Sequence, residues 1–76
     1  MSRRRVLTNR ELQILRLVAS GCTYVTVAEK LGISSRTVNH HMGRILIKFD
    51  ALDKLEATIE ALRSGTITLE QIPRRE

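Results

Sequence analysis

Seventy-six residues with a 42% apolar fraction supply one domain with one small core, and a chain of this size buries only about 60% of the surface its unfolded form exposes. Aromatics are 3%, Tyr24 and Phe49 with no Trp; this excludes the stacking platforms of single-strand binders, and a ligand pocket of roughly 300–1,000 Å³ would consume the core. The net charge is +5 and unevenly spread: residues 1–50 hold nine Lys/Arg against three Asp/Glu, while residues 51–76 hold four against five, so one half is dressed for a polyanion.

The predicted elements follow in chain order. Residues 1–6 form a basic arm, Arg3-Arg4-Arg5, without the apolar stretch of a signal peptide. Thr8 and Glu11 make a capping box, with Leu7 and Leu12 as a hydrophobic staple. Leu12, Leu15, Val18 and Ala19 then recur at a helical period until Gly21 stops the first helix. Thr23 caps a short second helix with Val27, Ala28 and Leu31 on its buried face, and Gly32 stops it. Ser34 caps a third. Val38, His41 or Met42, Ile45 and Phe49 share one stripe of it; Asn39, His40, Gly43, Arg44 and Ile47 lie opposite. The very short turn at Gly32 joins the two as a helix-turn-helix. Asp53 and Glu56 form a second box of the capping type. A fourth helix follows with Leu55, Ile59 and Leu62 as its apolar set, and Gly65 stops it. Thr68 to Gln71 suit one last turn before Pro73. No segment alternates with period two, so the fold class is all-α.

Leu7-Thr8-Asn9-Arg10-Glu11, Leu15, Ala19, Gly21, Val27-Ala28, Leu31, Ile33-Ser34, Thr37-Val38, His41, Ile45 and Lys48, continuing through Ala57, Ala61 and Gly65, stand in one spacing. In that spacing residues 7–65 resemble the LuxR/GerE-type helix-turn-helix domain, with residues 66–76 as a short C-terminal extension. The resemblance implies a four-helix, dimeric, bacterial DNA-binding domain that regulates transcription. Such domains usually follow a receiver or ligand-sensing domain, so the sequence reads as a stand-alone member or as an excised domain.

The resemblance makes residues 35–49 the helix that enters the major groove. On its outward face the base-contact candidates are Asn39, His40, Gly43 and Arg44. An Asn pairs in bidentate fashion with adenine, where family members often carry Lys or Arg. Gly43 stands where many members place a long polar residue, and it reads as a point of close backbone approach or as tolerated drift. Arg44 suits guanine or phosphate. The phosphate candidates are Thr23, Tyr24, Arg36, Thr37, Lys48 and Arg5. Family members commonly carry Asn and Lys where Tyr24 and Val25 stand. Glu11 is expected to complete its cap and, by family precedent, to be a buried ion-pair partner. His41 matches the family's histidine, lies nearer the buried stripe, and is expected to pack and to hydrogen-bond. The dimer candidates are Leu55, Ala57, Thr58, Ala61 and Leu62, with Ala57 and Ala61 as a small-residue face; the alternative is that this stripe closes the monomer core.

Two other readings use the same motif. One is a protein-interaction module that keeps the fold and binds through Ile47 and Leu46; the other is a sigma-factor-like promoter module, for which RNA polymerase would be a partner. No convergent nucleophile and base appear, which reads as a non-enzyme without cofactor. His40 and His41 point about 100° apart on a helix and make a poor metal pair. Cys22 is the only cysteine. A reducing cytoplasm, near the nucleoid and away from membranes, is the expected setting.

Overall fold

The computed structural model describes residues 6–74. The elements are α1 (Asn9–Ala19), α2 (Tyr24–Leu31), α3 (Ser35–Phe49), α4 (Lys54–Arg63) and a single 3-10 turn, Leu69–Gln71. There is no strand among the described residues, and the all-α, four-helix fold stands. The Arg3-Arg4-Arg5 arm lies outside the described residues.

Every α-helix begins on a side-chain acceptor. Thr8 Oγ1 accepts from the Glu11 amide at 3.1 Å, and Glu11 Oε1 accepts from the Thr8 amide at 2.9 Å. This is the expected box, with two orphan amides satisfied reciprocally. Thr23 accepts from the Thr26 amide at 3.1 Å, Ser34 from the Thr37 amide at 3.0 Å, and Asp53 from the Glu56 amide at 2.9 Å. The fourth cap departs from expectation. The Glu56 carboxylate takes the amide of Leu52, one residue before the cap, so this box is open by one residue.

Three helices end by one device. The amide of Cys22 bonds back to Leu17 O at 3.2 Å, that of Ile33 to Ala28 O at 3.0 Å, and that of Ala51 to Leu46 O at 2.9 Å. Each closure needs a left-handed residue just before it. Gly21 and Gly32 fill that place in the first two, at φ 100° and 68°. In the third it is Asp50, at φ 55°, a stop the glycine pattern does not reveal. Asp is among the few L-residues that tolerate this region.

The core is Leu7, Ile14, Leu15, Val18, Val27, Ala28, Val38, Met42, Ile45, Phe49, Ala57, Ala61 and Ile67. α3 packs against all three other helices and is the spine of the domain. Met42, not His41, takes the core position, because it is fully buried while His41 is only half-buried. On α1, Leu12 and Ala19 flank the core and Ile14 occupies it. Ile67 is 1% exposed, and its amide bonds to Ala61 O at 3.2 Å. The buried unit therefore runs past residue 65 into the expected extension.

One charged group sits in this core. Glu11 is 1% exposed. Lys48 Nζ donates to Glu11 Oε1 at 2.7 Å, and Arg44 Nε lies 3.6 Å from Oε2. Burial pushes the carboxyl pKa up; the Lys48 hydrogen bond, the Thr8 amide and the Lys48 and Arg44 charges outweigh it, and the pKa is lowered. A lowered folded pKa contributes stability that is fully present above the ordinary carboxyl value and lost as pH falls through the folded one. Glu11→Gln keeps an acceptor for the Thr8 amide and removes the charge. We expect it to cost about 3 kcal/mol at neutral pH, the low end for breaking a buried pair because Lys48 is partly exposed. Urea unfolding from neutral to acid pH should also show a shallower acid loss in the variant than in the parent.

Candidate nucleic-acid interface

The stripe of Val38, Met42, Ile45 and Phe49 turns the opposite side of α3 outward. Arg36, Asn39, His40, Arg44 and Ile47 are exposed there, and Gly43 is half-exposed. No Asp or Glu occurs anywhere in Ser35–Phe49. A 15-residue helix with Arg36, Arg44 and Lys48 and no carboxylate is a strongly biased surface. At its N-terminal end it meets the start of α2. Tyr24, Val25, Ser35, Arg36 and Asn39 line one shallow concavity between the two helices. A turn of only three residues, Gly32 to Ser34, joins the end of α2 to the start of α3 and keeps the two helices in contact.

Side chains that look alike in sequence have different standing. Arg36 is exposed and makes no ion pair among the described residues. Arg44 spends one edge of its guanidinium on Glu11 and keeps 59% of its side chain exposed. The contact is an ion pair longer than a hydrogen bond, so it leaves the guanidinium donors available. Lys48 is different. Its ammonium bonds Glu11 at 2.7 Å and the Val6 carbonyl at 3.1 Å, with 23% of the side chain exposed. Two of the three Lys48 donors are thus spent inside the fold, which leaves at most one N–H for the expected phosphate contact.

The hydroxyls are also partly committed. Thr23 Oγ1 donates to Thr26 Oγ1 at 3.1 Å, and the Thr37 and Ser34 hydroxyls pair at 2.9 Å. The Tyr24 ring is half-buried, with Lys54 Nζ 5.3 Å from its centroid. Burial raises the Tyr24 pKa, so its hydroxyl keeps its proton and remains a donor. No local sequence pattern reveals this link between the starts of α2 and α4, because the two residues are 30 apart. His41 lies edge-on to His40, ring centroids 6.2 Å apart, and its Nδ1 is buried without a hydrogen-bond partner among the described residues. It packs, as expected, without the bond expected of it. No cluster of metal-ligating side chains occurs among the described residues.

The left-handed glycines are Gly21, Gly32 and Gly65; Gly43 has ordinary helical backbone. A Cβ placed on it would meet nothing within 4 Å. The fold does not ask for glycine here, although glycine in a helix interior costs about 1 kcal/mol against Ala.

On α4 the dimer expectation splits. Ala57 and Ala61 are both 0% exposed and belong to the monomer core, so the small-residue face is corrected to an intramolecular one. These alanines let α4 approach its own neighbours closely. Leu55 and Ile59 remain outward, 67% and 42% exposed, with Thr58 and Leu62 half-buried beside them.

The fold and surface define a helix-turn-helix domain with a basic face on its second motif helix. Residues 5–61 match the model of the bacterial regulatory proteins of the luxR family, and the chain belongs to that family, one of regulators and not an enzyme class. It is 42% identical over 60 residues to the transcriptional regulatory protein YxjL of Bacillus subtilis, covering 79% of this chain and 28% of that protein. Identity to LiaR of the same organism is 43% over 61 residues, covering 80% and 29%. The transcriptional activator SolR of Ralstonia solanacearum is 39% identical over 62 residues, covering 82% and 26%. The chain thus spans less than a third of the length of these three relatives.

Ser34 anchors the start of α3, so Ser34→Ala should cost about 1 kcal/mol. A domain of this size would then melt about 4–8 °C lower, measured by circular dichroism.

Proposed function

We propose that this domain binds duplex DNA in a sequence-specific way and regulates transcription, with α3 lying in the major groove. The observation that carries the reading is the acid-free outward face of α3, where Asn39, His40, Gly43 and Arg44 have no core position. A groove about 12 Å wide admits a helix and presents a distinct pattern for each base pair. Asn39 and His40 face bases, and Arg44, ion-paired with Glu11, meets guanine or a phosphate. Arg36, Tyr24, Thr23 and Thr37 flank them toward the backbone, where amides at helix starts also favour anions. Arg5, outside the described residues, adds charge from the arm.

Two copies bind together, through the outward part of α4. Leu55 and Ile59 form an exposed apolar pair four residues apart, edged by Thr58 and Leu62. So small a contact is weak in free solution and gains strength when two half-sites hold both copies. RNA polymerase is a reasonable further contact for such a regulator, and the bacterial cytoplasm the reasonable setting.

Selection from a randomised duplex library at about 150 mM salt tests the reading. Enrichment of an inverted repeat supports it; recovery without sequence preference sinks it. On the enriched duplex, Arg36→Gln should reduce the slope of log affinity against log salt by about one. Lys48→Met should leave that slope unchanged while lowering the melting temperature. Leu55→Arg should abolish cooperative occupancy of two half-sites in a mobility-shift titration, and single-site affinity should stay within about threefold, roughly half of one tenfold step in free energy.

A further inference from the structure

We propose that Gly43 forms a notch in the reading face of α3 that seats the 5-methyl group of a thymine. The inference rests on the DNA-binding reading above and assigns part of its specificity.

Neither the backbone conformation nor the packing at residue 43 requires glycine. What its missing side chain leaves is a dent on the exposed side of the helix. Asn39 stands one turn before it, and Ile47, 61% exposed, one turn after. His40, three residues before, shares the same face. The dent therefore has a polar wall toward the start of α3 and an apolar wall toward its end.

The occupant follows from this lining. A phosphate would be met by a cation, and residue 43 offers none. The groups that base pairs present in the major groove are hydrogen-bonding atoms, with one exception, the thymine methyl. It is a compact apolar knob, and Ile47 supplies an apolar surface beside the hole. Asn39 lies about 6 Å away along the helix axis, close to two base steps of about 3.4 Å each. An adenine paired with Asn39 and a thymine in the notch would thus fall within one or two base pairs. In this geometry the bare backbone at Gly43 reads the DNA by its shape, in place of a long polar side chain.

The test exchanges knob and hole. The duplex best enriched from the randomised library is remade with deoxyuridine in place of each thymine in turn, which deletes only the methyl. The parent protein should lose about fourfold in affinity at one position, the worth of one buried methyl. Gly43→Ala fills the notch. It should bind the thymine duplex more weakly than the parent and prefer uracil at that position, reversing the parent's order. Its melting temperature should rise by about 4–8 °C, which separates the affinity loss from misfolding. Placing cytosine or 5-methylcytosine at the same position distinguishes the methyl from the base that carries it; the methylated base should bind tighter. Indifference of the parent to every uracil substitution, equal binding of the two cytosines, or an unreversed preference in Gly43→Ala would overturn the notch and leave the DNA-binding reading intact. If no duplex is enriched, both fall together.

Discussion

A carboxylate 1% exposed in a core this small is an expensive group unless it is fully paired. Glu11 meets that condition from three directions. The Thr8 amide, Lys48 and Arg44 surround it, and the Lys48 ammonium reaches on to the Val6 carbonyl. One residue thereby closes the first turn of α1, ties α1 to the last turns of α3, and holds the entering chain against both. A hydrophobic contact would supply comparable free energy without direction. The ion pair adds a directed contact to the four buried side chains of α3 that decide which of its residues face out.

The outward face depends on that constraint. Rotating α3 by a single residue would exchange about 100° of surface and bring Val38 and Met42, or His40 and Arg44, where Asn39 and Gly43 now lie. Four core side chains on one side and the Glu11 pair on the edge leave little freedom to do so. Arg44 belongs to both systems, with one edge of its guanidinium on Glu11 and most of its surface exposed. Stability and proposed recognition are therefore coupled through one side chain, and a substitution there would disturb both.

α4 has a similar division of labour. Its alanines are inside the monomer, and its large aliphatic residues Leu55 and Ile59 are partly outside. Small residues are used where the helix must come close to its own neighbours. The exposed leucine and isoleucine make a small apolar patch outside the monomer core. Lys54, at the start of this helix, lies over the Tyr24 ring, so the start of α4 is also linked to the α2 end of the candidate interface.

Local chemistry made most of the fold legible. Caps at Thr8, Thr23, Ser34 and Asp53, stops at Gly21, Gly32 and Gly65, and the apolar stripe of α3 all act within a turn or two, so residue types and spacing suffice to find them. Asp50 escaped because a left-handed Asp carries no signature in isolation. The roles of Lys48, Ala57 and Ala61 escaped for another reason. A lysine looks like a surface cation, and two alanines four apart fit either a partner helix or the chain's own core. Only tertiary packing puts Lys48 against a carboxylate 37 residues away and seals the alanines at 0% exposure. The Arg44–Lys48 spacing of four, beside a glutamate expected to be buried, was the available hint. The sequence by itself determined the helices, their order and the outward stripe of α3, since these depend on hydrogen bonds and periodicity close along the chain. The three-dimensional fold decided which cations remain for a ligand and which apolar residues remain for a partner, because burial and charge pairing are set by residues far apart in sequence.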